Sequence, residues 1–133
     1  MNTSEKLSLT ASKTIPLGVP RGFYAFWSIT TQAAFTINFN LKDSSRSYVN
    51  ASRTSQQILP PLSQAYSEIQ GNDLQVIITV AQSQRIDARY TATDIKDDKG
   101  QIIARTVTIV GEDATDMDYN DIFFTLTAWR HQG

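Results

Sequence analysis

The sequence predicts an all-β fold, an antiparallel β-sandwich of about nine strands, and three observations carry that expectation: a period-two apolar pattern, β-branched and aromatic enrichment in short runs, and turn-forming clusters between them. Phe35, Ile37, Phe39 and Leu41 alternate with Thr36, Asn38 and Asn40, so four large side chains share one face of a strand. Leu74, Val76, Ile78 and Val80 repeat the pattern, and Ile86, Ala88, Tyr90 and Ala92 stand against Asp87, Arg89, Thr91 and Thr93. Residues 103–110 and 122–129 are rich in β-branched and aromatic side chains, and residues 22–30 read as a strand apolar on both faces. At least six strands follow directly. Asp98-Lys99-Gly100 and Gln70-Gly71-Asn72-Asp73 supply turn chemistry, and Ala81-Gln82-Ser83-Gln84 reads as a hairpin loop. Pro60-Pro61 breaks the middle of the chain, after which residues 62–69 read as one or two helical turns or a loop. No repeat or linker divides the chain, so residues 1–133 are read as a single domain.

Composition narrows the function. A chain of 133 residues with 41% hydrophobic content supports one core. Twelve Lys and Arg against thirteen Asp and Glu give a net charge of −1, so no basic excess attracts nucleic acid. No apolar run approaches the roughly 18 residues of a membrane span, and the first residues lack the apolar centre of a secretory signal; a soluble chain is the expectation. Cysteine is absent, which excludes thiolate zinc sites and cysteine nucleophiles, and the single histidine, His131, reads as a solvated surface residue.

The chemistry concentrates in residues 111–121, GEDATDMDYND, with five of the thirteen carboxylates: Glu112, Asp113, Asp116, Asp118 and Asp121. Lys and Arg are missing from residues 106–129, so nothing nearby in sequence neutralises them. Like charges this close persist when solvated, protonated or gathered around cations. The available ligands are hard oxygens, Asn120 adding an amide carbonyl, which favours calcium before magnesium. On an extended chain Asp116, Asp118 and Asn120 point the same way, and Asp121 at the bend can bridge two ions. An acidic surface turn is the plain alternative. An EF-hand is excluded, because loop position six is Asp121 in place of Gly and position twelve is Thr127 in place of Glu.

The stretch VGEDATDMDYND, followed by a strand, a Trp and a C-terminal Gly, resembles the two-calcium bacterial lectins that bind fucose and mannose, the fucose-binding lectin II type. The last quarter of the chain carries the resemblance, with a looser match through residues 23–29; residues 1–12, an N-terminal extension, and 60–70 look like additions to the family's length. The resemblance implies a calcium-binding β-sandwich with two ions per subunit. Glu112 and Asp116 would hold one ion, Asp118, Asn120 and Asp121 the second or both, with the Ser28 carbonyl a further ligand. The Gly133 carboxylate of a neighbouring subunit would complete the second site, making the protein a homodimer or homotetramer. Five such carboxylates against two calcium ions come close to neutrality, whereas one ion would leave −3.

Sugar hydroxyls would then replace calcium-bound waters, with Asp113, Ala114 and Thr115 contacting the sugar and Ile29 and Thr30 lining the pocket. Ala114 stands where the family usually has Gly, Ile29 where small polar residues set sugar preference, and the tail is two residues longer, so the sugar itself is not read across. The partners expected are fucose- or mannose-type glycans, and no enzymatic activity is expected. A structural calcium module of the bacterial surface or adhesin type is the alternative. A glycoside hydrolase, which needs carboxylates about 5 Å or 6.5–9.5 Å apart across a cleft, fits a chain this short less well. No residue assigns a compartment; the resemblance is compatible with a cytoplasmic protein released by a non-classical route. Trp27 and Trp129 read as core or subunit-contact residues, Arg130 as a partner of the acidic run, and Tyr119 as packing on the opposite face of its strand.

Overall fold

The structure, a computed structural model, describes residues 10–81, 85–112 and 121–131. Its strands are β1 (Thr10–Pro16), β2 (Tyr24–Thr31), β3 (Ala33–Lys42), β4 (Ser47–Ser55), β5 (Ser63–Glu68), β6 (Gln75–Ala81), β7 (Asp87–Lys96), β8 (Ile102–Glu112) and β9 (Ile122–Trp129). They form a four-stranded sheet in the order β1-β6-β3-β4 and a five-stranded sheet in the order β5-β2-β9-β8-β7. Every pairing is antiparallel, giving the expected nine-stranded sandwich. Among the described residues no helix is long and apolar enough to cross a membrane.

The period-two pattern is what builds the core. Ile37, Phe39 and Leu41 of β3 and Val76, Ile78 and Val80 of β6 are fully buried on one inner face. Ala25, Trp27 and Ile29 of β2 and Ile122, Phe124, Leu126 and Ala128 of β9 oppose them from the other sheet. Phe39 and Phe124 meet between the layers with ring centroids 5.3 Å apart. Trp27 belongs to this core, its indole N–H donating to Ser63 Oγ at 3.2 Å and its ring meeting Tyr48 edge-on.

Three expectations are corrected. Residues 63–68 form strand β5, not helical turns, because the edge of β2 offers them a complete ladder from Tyr24 to Ile29. The hairpin expected at residues 81–84 does not form as such, because β6 and β7, the strands it would join, lie in different sheets, and residues 82–84 lie outside the described residues. The face shared by Ile86, Ala88, Tyr90 and Ala92 is buried only at Ala88 and partly at Ile86. Strand β7 is the margin of the wider sheet, which leaves Tyr90 51% exposed. By contrast, Asp98-Lys99-Gly100 does turn a hairpin, between β7 and β8, with Gly100 at φ 79°.

The outer face of the five-stranded sheet carries an aromatic cluster. Tyr24, Tyr66 and Trp129 stack pairwise, with centroid separations of 5.9–6.5 Å, and Phe26 beside them in the register is 44% exposed.

The end of the sandwich where β3 and β9 terminate is sealed around Asp43. This carboxylate, 4% exposed, accepts from the backbone N–H groups of Ser45, Arg46 and Gly71 at 2.7, 3.0 and 3.0 Å and from the Tyr48 hydroxyl. A Cβ at residue 71 would lie 2.7 Å from Asp43 Oδ1, so glycine is what lets the two loops close. Burial pushes the Asp43 pKa upward, but the four donated hydrogen bonds outweigh it and hold the carboxyl below its ordinary 3.8. Burial and then Asp43 itself push the Tyr48 phenol up to about 12. Replacing Asp43 with Ala leaves these donors unpaired and is expected to cost about 2–4 kcal/mol in urea unfolding. Because the folded pKa is depressed, the ionised carboxylate's contribution is complete above the unfolded value of 3.8 and is lost as the pH falls through the lower folded value. Asp43→Asn should therefore flatten the acid limb of the stability profile relative to the parent protein.

Candidate functional site

The opposite end of the sandwich is where the acidic run is held. Strand β8 delivers Glu112 and β9 begins at Ile122, and the ladder between them closes with Gly111 opposite Ile122. Beyond it the Asp121 N–H donates to the Gly111 carbonyl at 3.1 Å, and the Gln32 N–H donates to the Asp121 carbonyl at 2.8 Å. The two ends of the acidic segment are thus brought together, and the β2–β3 turn is fastened beside them. Gly111 is needed for this closure, since a Cβ there would lie 2.9 Å from Ile122 Cδ1 and 3.1 Å from Ile122 Cβ. Glu112 is 1% exposed and Asp121 half-buried.

The expected ligands and sugar contacts Asp113, Ala114, Thr115, Asp116, Asp118 and Asn120, together with Tyr119 and Gly133, lie outside the described residues. Among the described residues no group of three or more His, Cys, Asp or Glu side chains forms a metal cluster. Of the remaining expected site residues, the structure brings Thr30 to this end. Thr30 pairs with Phe123, two positions along β9 from Asp121. Ser28 pairs with Thr125, roughly 14 Å along the strand from Asp121, and sits in a strand paired on both sides, where ladder bonds take up main-chain carbonyls. The Ile29 side chain is 0% exposed in the inter-sheet core, and its carbonyl accepts from the Leu62 N–H at 2.8 Å. These placements differ from the ligand and pocket-lining roles expected for Ser28 and Ile29: strand pairing and the core use the groups that a ligand would need.

The topology adds residues that sequence spacing does not reveal. Asp87 stands directly across the β7–β8 ladder from Glu112, so two carboxylates face each other at the same end. Arg85 and Arg89 flank Asp87 at 3.6 and 3.5 Å, and these partly exposed ion pairs offset part of that repulsion. The alternation Arg85, Asp87, Arg89 is visible in the sequence, but its relation to Glu112 needs the register.

Arg53 of β4 organises the neighbouring loop. Its guanidinium donates to Thr30 Oγ1 at 3.0 Å, to the carbonyls of Thr31 and Pro60, and to the Ile58 carbonyl at 3.4 Å. The Thr30 hydroxyl in turn donates to the Ile58 carbonyl. Arg130, expected beside the acidic run, lies at the other end of β9. There its side chain reaches Asp97 at 3.7 Å and Gln101 at 3.3 Å in the β7–β8 turn, because an eight-residue strand separates it from Asp121.

The described part of this end therefore presents hard oxygen donors, held by backbone hydrogen bonds on a rigid sheet, and it offers neither a thiolate nor an imidazole. Such a donor set suits hard cations with high oxygen coordination. Solved structures share the architecture. The Ralstonia solanacearum high-affinity mannose-binding lectin superposes with a TM-score of 0.65 at 17% identity, over 90% of this chain and 96% of that one. The Chromobacterium violaceum lectin CV2L, solved with alpha-methyl-fucoside, gives 0.60 at 16% identity with the same coverages. The C-terminal domain of the BC2L-C lectin from Burkholderia cenocepacia gives 0.59 at 20% identity, again over 90% and 96%. At these identities the likeness shows a shared fold, and no curated protein sequence matches the chain significantly. The family model for fucose-binding lectin II (PA-IIL) matches residues 17–130, nearly the whole described sandwich, and the chain belongs to that family of non-enzymatic, carbohydrate-binding bacterial lectins.

Proposed function

We propose that this chain is a calcium-dependent lectin for fucose- or mannose-type monosaccharides, its site lying at the 112–121 end of the sandwich. The observation that carries the reading is the closure of that segment at its base, where the Asp121 N–H meets the Gly111 carbonyl and sets Glu112 and Asp121 at the two feet of one acidic loop. Glu112, Asp116, Asp118, Asn120 and Asp121 are the proposed calcium ligands. Two calcium ions, when bound, would supply coordination positions for vicinal sugar hydroxyls and so select ring stereochemistry. Asp113 and Thr115 would accept hydrogen bonds from the sugar hydroxyls that do not coordinate, and Ala114 would leave room for the ring between them. Ser28 and Ile29, used by the ladder and the core, are left out of the set. The lectins of Ralstonia and Chromobacterium, described as mannose-binding and as bound to a fucoside, support the sugar class.

The two-fold reading follows from reach. Strand β9 spans eight residues, about 27 Å, from the Asp121 end to Arg130, and three further residues extend at most about 10 Å. A Gly133 carboxylate that completes the site would therefore come from a second copy, making the assembly at least a homodimer. The stacked Tyr24, Tyr66 and Trp129 beside that end of β9 offer apolar area for the contact.

N-terminally tagged protein on a glycan array with millimolar calcium should bind fucose- or mannose-terminated glycans and lose that signal in excess chelator. Asp118→Asn should weaken the binding at least tenfold. No glycan signal, with a melting temperature that still rises by several degrees on adding calcium, would instead establish a structural calcium module. Calcium titrations should show affinity falling about tenfold when two glycines are appended after Gly133, and Trp129→Ser should sediment as a monomer. An unchanged calcium affinity in the extended protein would place the whole site within one chain.

A further inference from the structure

We infer that the loop of residues 56–62 is a second, apolar subsite bordering the sugar site, and that Leu59 with Ile58 takes an apolar aglycone on the bound sugar. This deepens the lectin reading and rests on it. The loop joins β4 of one sheet to β5 of the other across the same end of the sandwich as Glu112 and Asp121. It is not loosely tethered. The Pro60 and Ile58 carbonyls both accept from the Arg53 guanidinium, the Ile58 carbonyl also accepts from Thr30 Oγ1, and the Leu62 N–H donates to the Ile29 carbonyl at 2.8 Å. At its entry the Gln57 N–H donates to Ser55 Oγ at 3.0 Å.

With those carbonyls engaged by Arg53 and Thr30, the loop leaves its apolar side chains to solvent. Ile58 is 41% exposed and Leu59 69%, the most exposed of the large hydrophobic residues described. Single exposed hydrophobics are ordinary on protein surfaces. Two in succession, fixed through their loop's backbone hydrogen bonds to Arg53 and Thr30 and bordered by the φ-restricted Pro60-Pro61, form a preorganised apolar surface whose hydration cost is recovered when something apolar covers it.

Position selects the occupant. Thr30, which anchors Ile58, pairs with Phe123 in the adjacent strand, and Gln32, two residues further, holds the Asp121 carbonyl. The loop therefore lies beside the feet of the acidic segment, on the far side of β2 from β9. A sugar held by carboxylates and calcium presents its hydroxyls to the acidic segment, and the substituent on its anomeric oxygen is the part free to reach this rim. Alkyl or aryl aglycones match it chemically; an anionic one gains nothing from the Arg53 guanidinium, which five oxygens already engage.

Isothermal titration in millimolar calcium would compare methyl and phenyl α-D-mannopyranosides, and methyl and phenyl α-L-fucopyranosides, on the intact protein. The phenyl glycoside of the accepted sugar should bind about fivefold more tightly than the methyl glycoside. Leu59→Ser should abolish that preference while leaving the methyl glycoside within twofold. Ile95→Ser, which removes a 52% exposed side chain from β7, should retain the preference. Equal affinity for methyl and phenyl glycosides, or a preference that survives Leu59→Ser, would overturn the subsite and leave the sugar reading standing. Failure of every glycoside to bind would overturn both.

Discussion

The arrangement at the acidic end depends on strand β9 being paired on both sides. Its inner face, Ile122, Phe124, Leu126 and Ala128, is fully buried, and its ladders to β2 and β8 leave it no freedom to slide. A one-residue slip would turn those four side chains outward and bring Thr125 and Thr127 into the core, exposing apolar area and burying hydroxyls. That constraint fixes Asp121 beside Gly111 and Gln32. The foot of an acidic loop that would otherwise be driven apart by like charge is thereby held by hydrophobic packing several residues away.

Much of this architecture can be read in the chain. The alternation in residues 35–41 and 74–80 specifies two central strands because each is half-buried and period-two, and both lie in the middle of their sheet. Reading fails where the sheet is marginal. Residues 63–68, SQAYSE, have no apolar alternation because β5 is an edge strand covering little core, so its identity as a strand comes from the ladder that β2 offers. Tyr90 follows the right pattern and is still exposed, since pattern encodes a face but not whether the opposite layer extends far enough to cover it.

The candidate site was legible as residue types and partly illegible as geometry. Five carboxylates without a Lys or Arg nearby in sequence raise the expectation of hard-ion chemistry, beside the plainer one of an acidic turn. Their neighbours in space do not follow from spacing: Asp87 meets Glu112 through register, and Arg53 reaches Thr30 and Pro60 across the sandwich. Conversely, Arg130 is close to the acidic run in sequence and distant in space, because an extended strand carries it the full length of the sheet. Strand geometry rewards separation in sequence with proximity and converts proximity in sequence into distance.

The two ends of the sandwich handle buried carboxylate in opposite ways, and the contrast argues for where an external ligand belongs. Asp43 receives four hydrogen bonds from its own chain, one of them from a phenol whose proton is held to about pH 12, so its acceptor capacity is spent internally. Glu112 and Asp121 stand instead at the feet of a segment that gathers five carboxylates in a stretch, residues 106–129, without Lys or Arg. A bound cation would lower the repulsion among them, and the paired strands at both feet would limit the conformational entropy lost on binding it. On the proposed reading, the end closed by its own donors is structural, and the end that collects like charge is the one an external cation would serve.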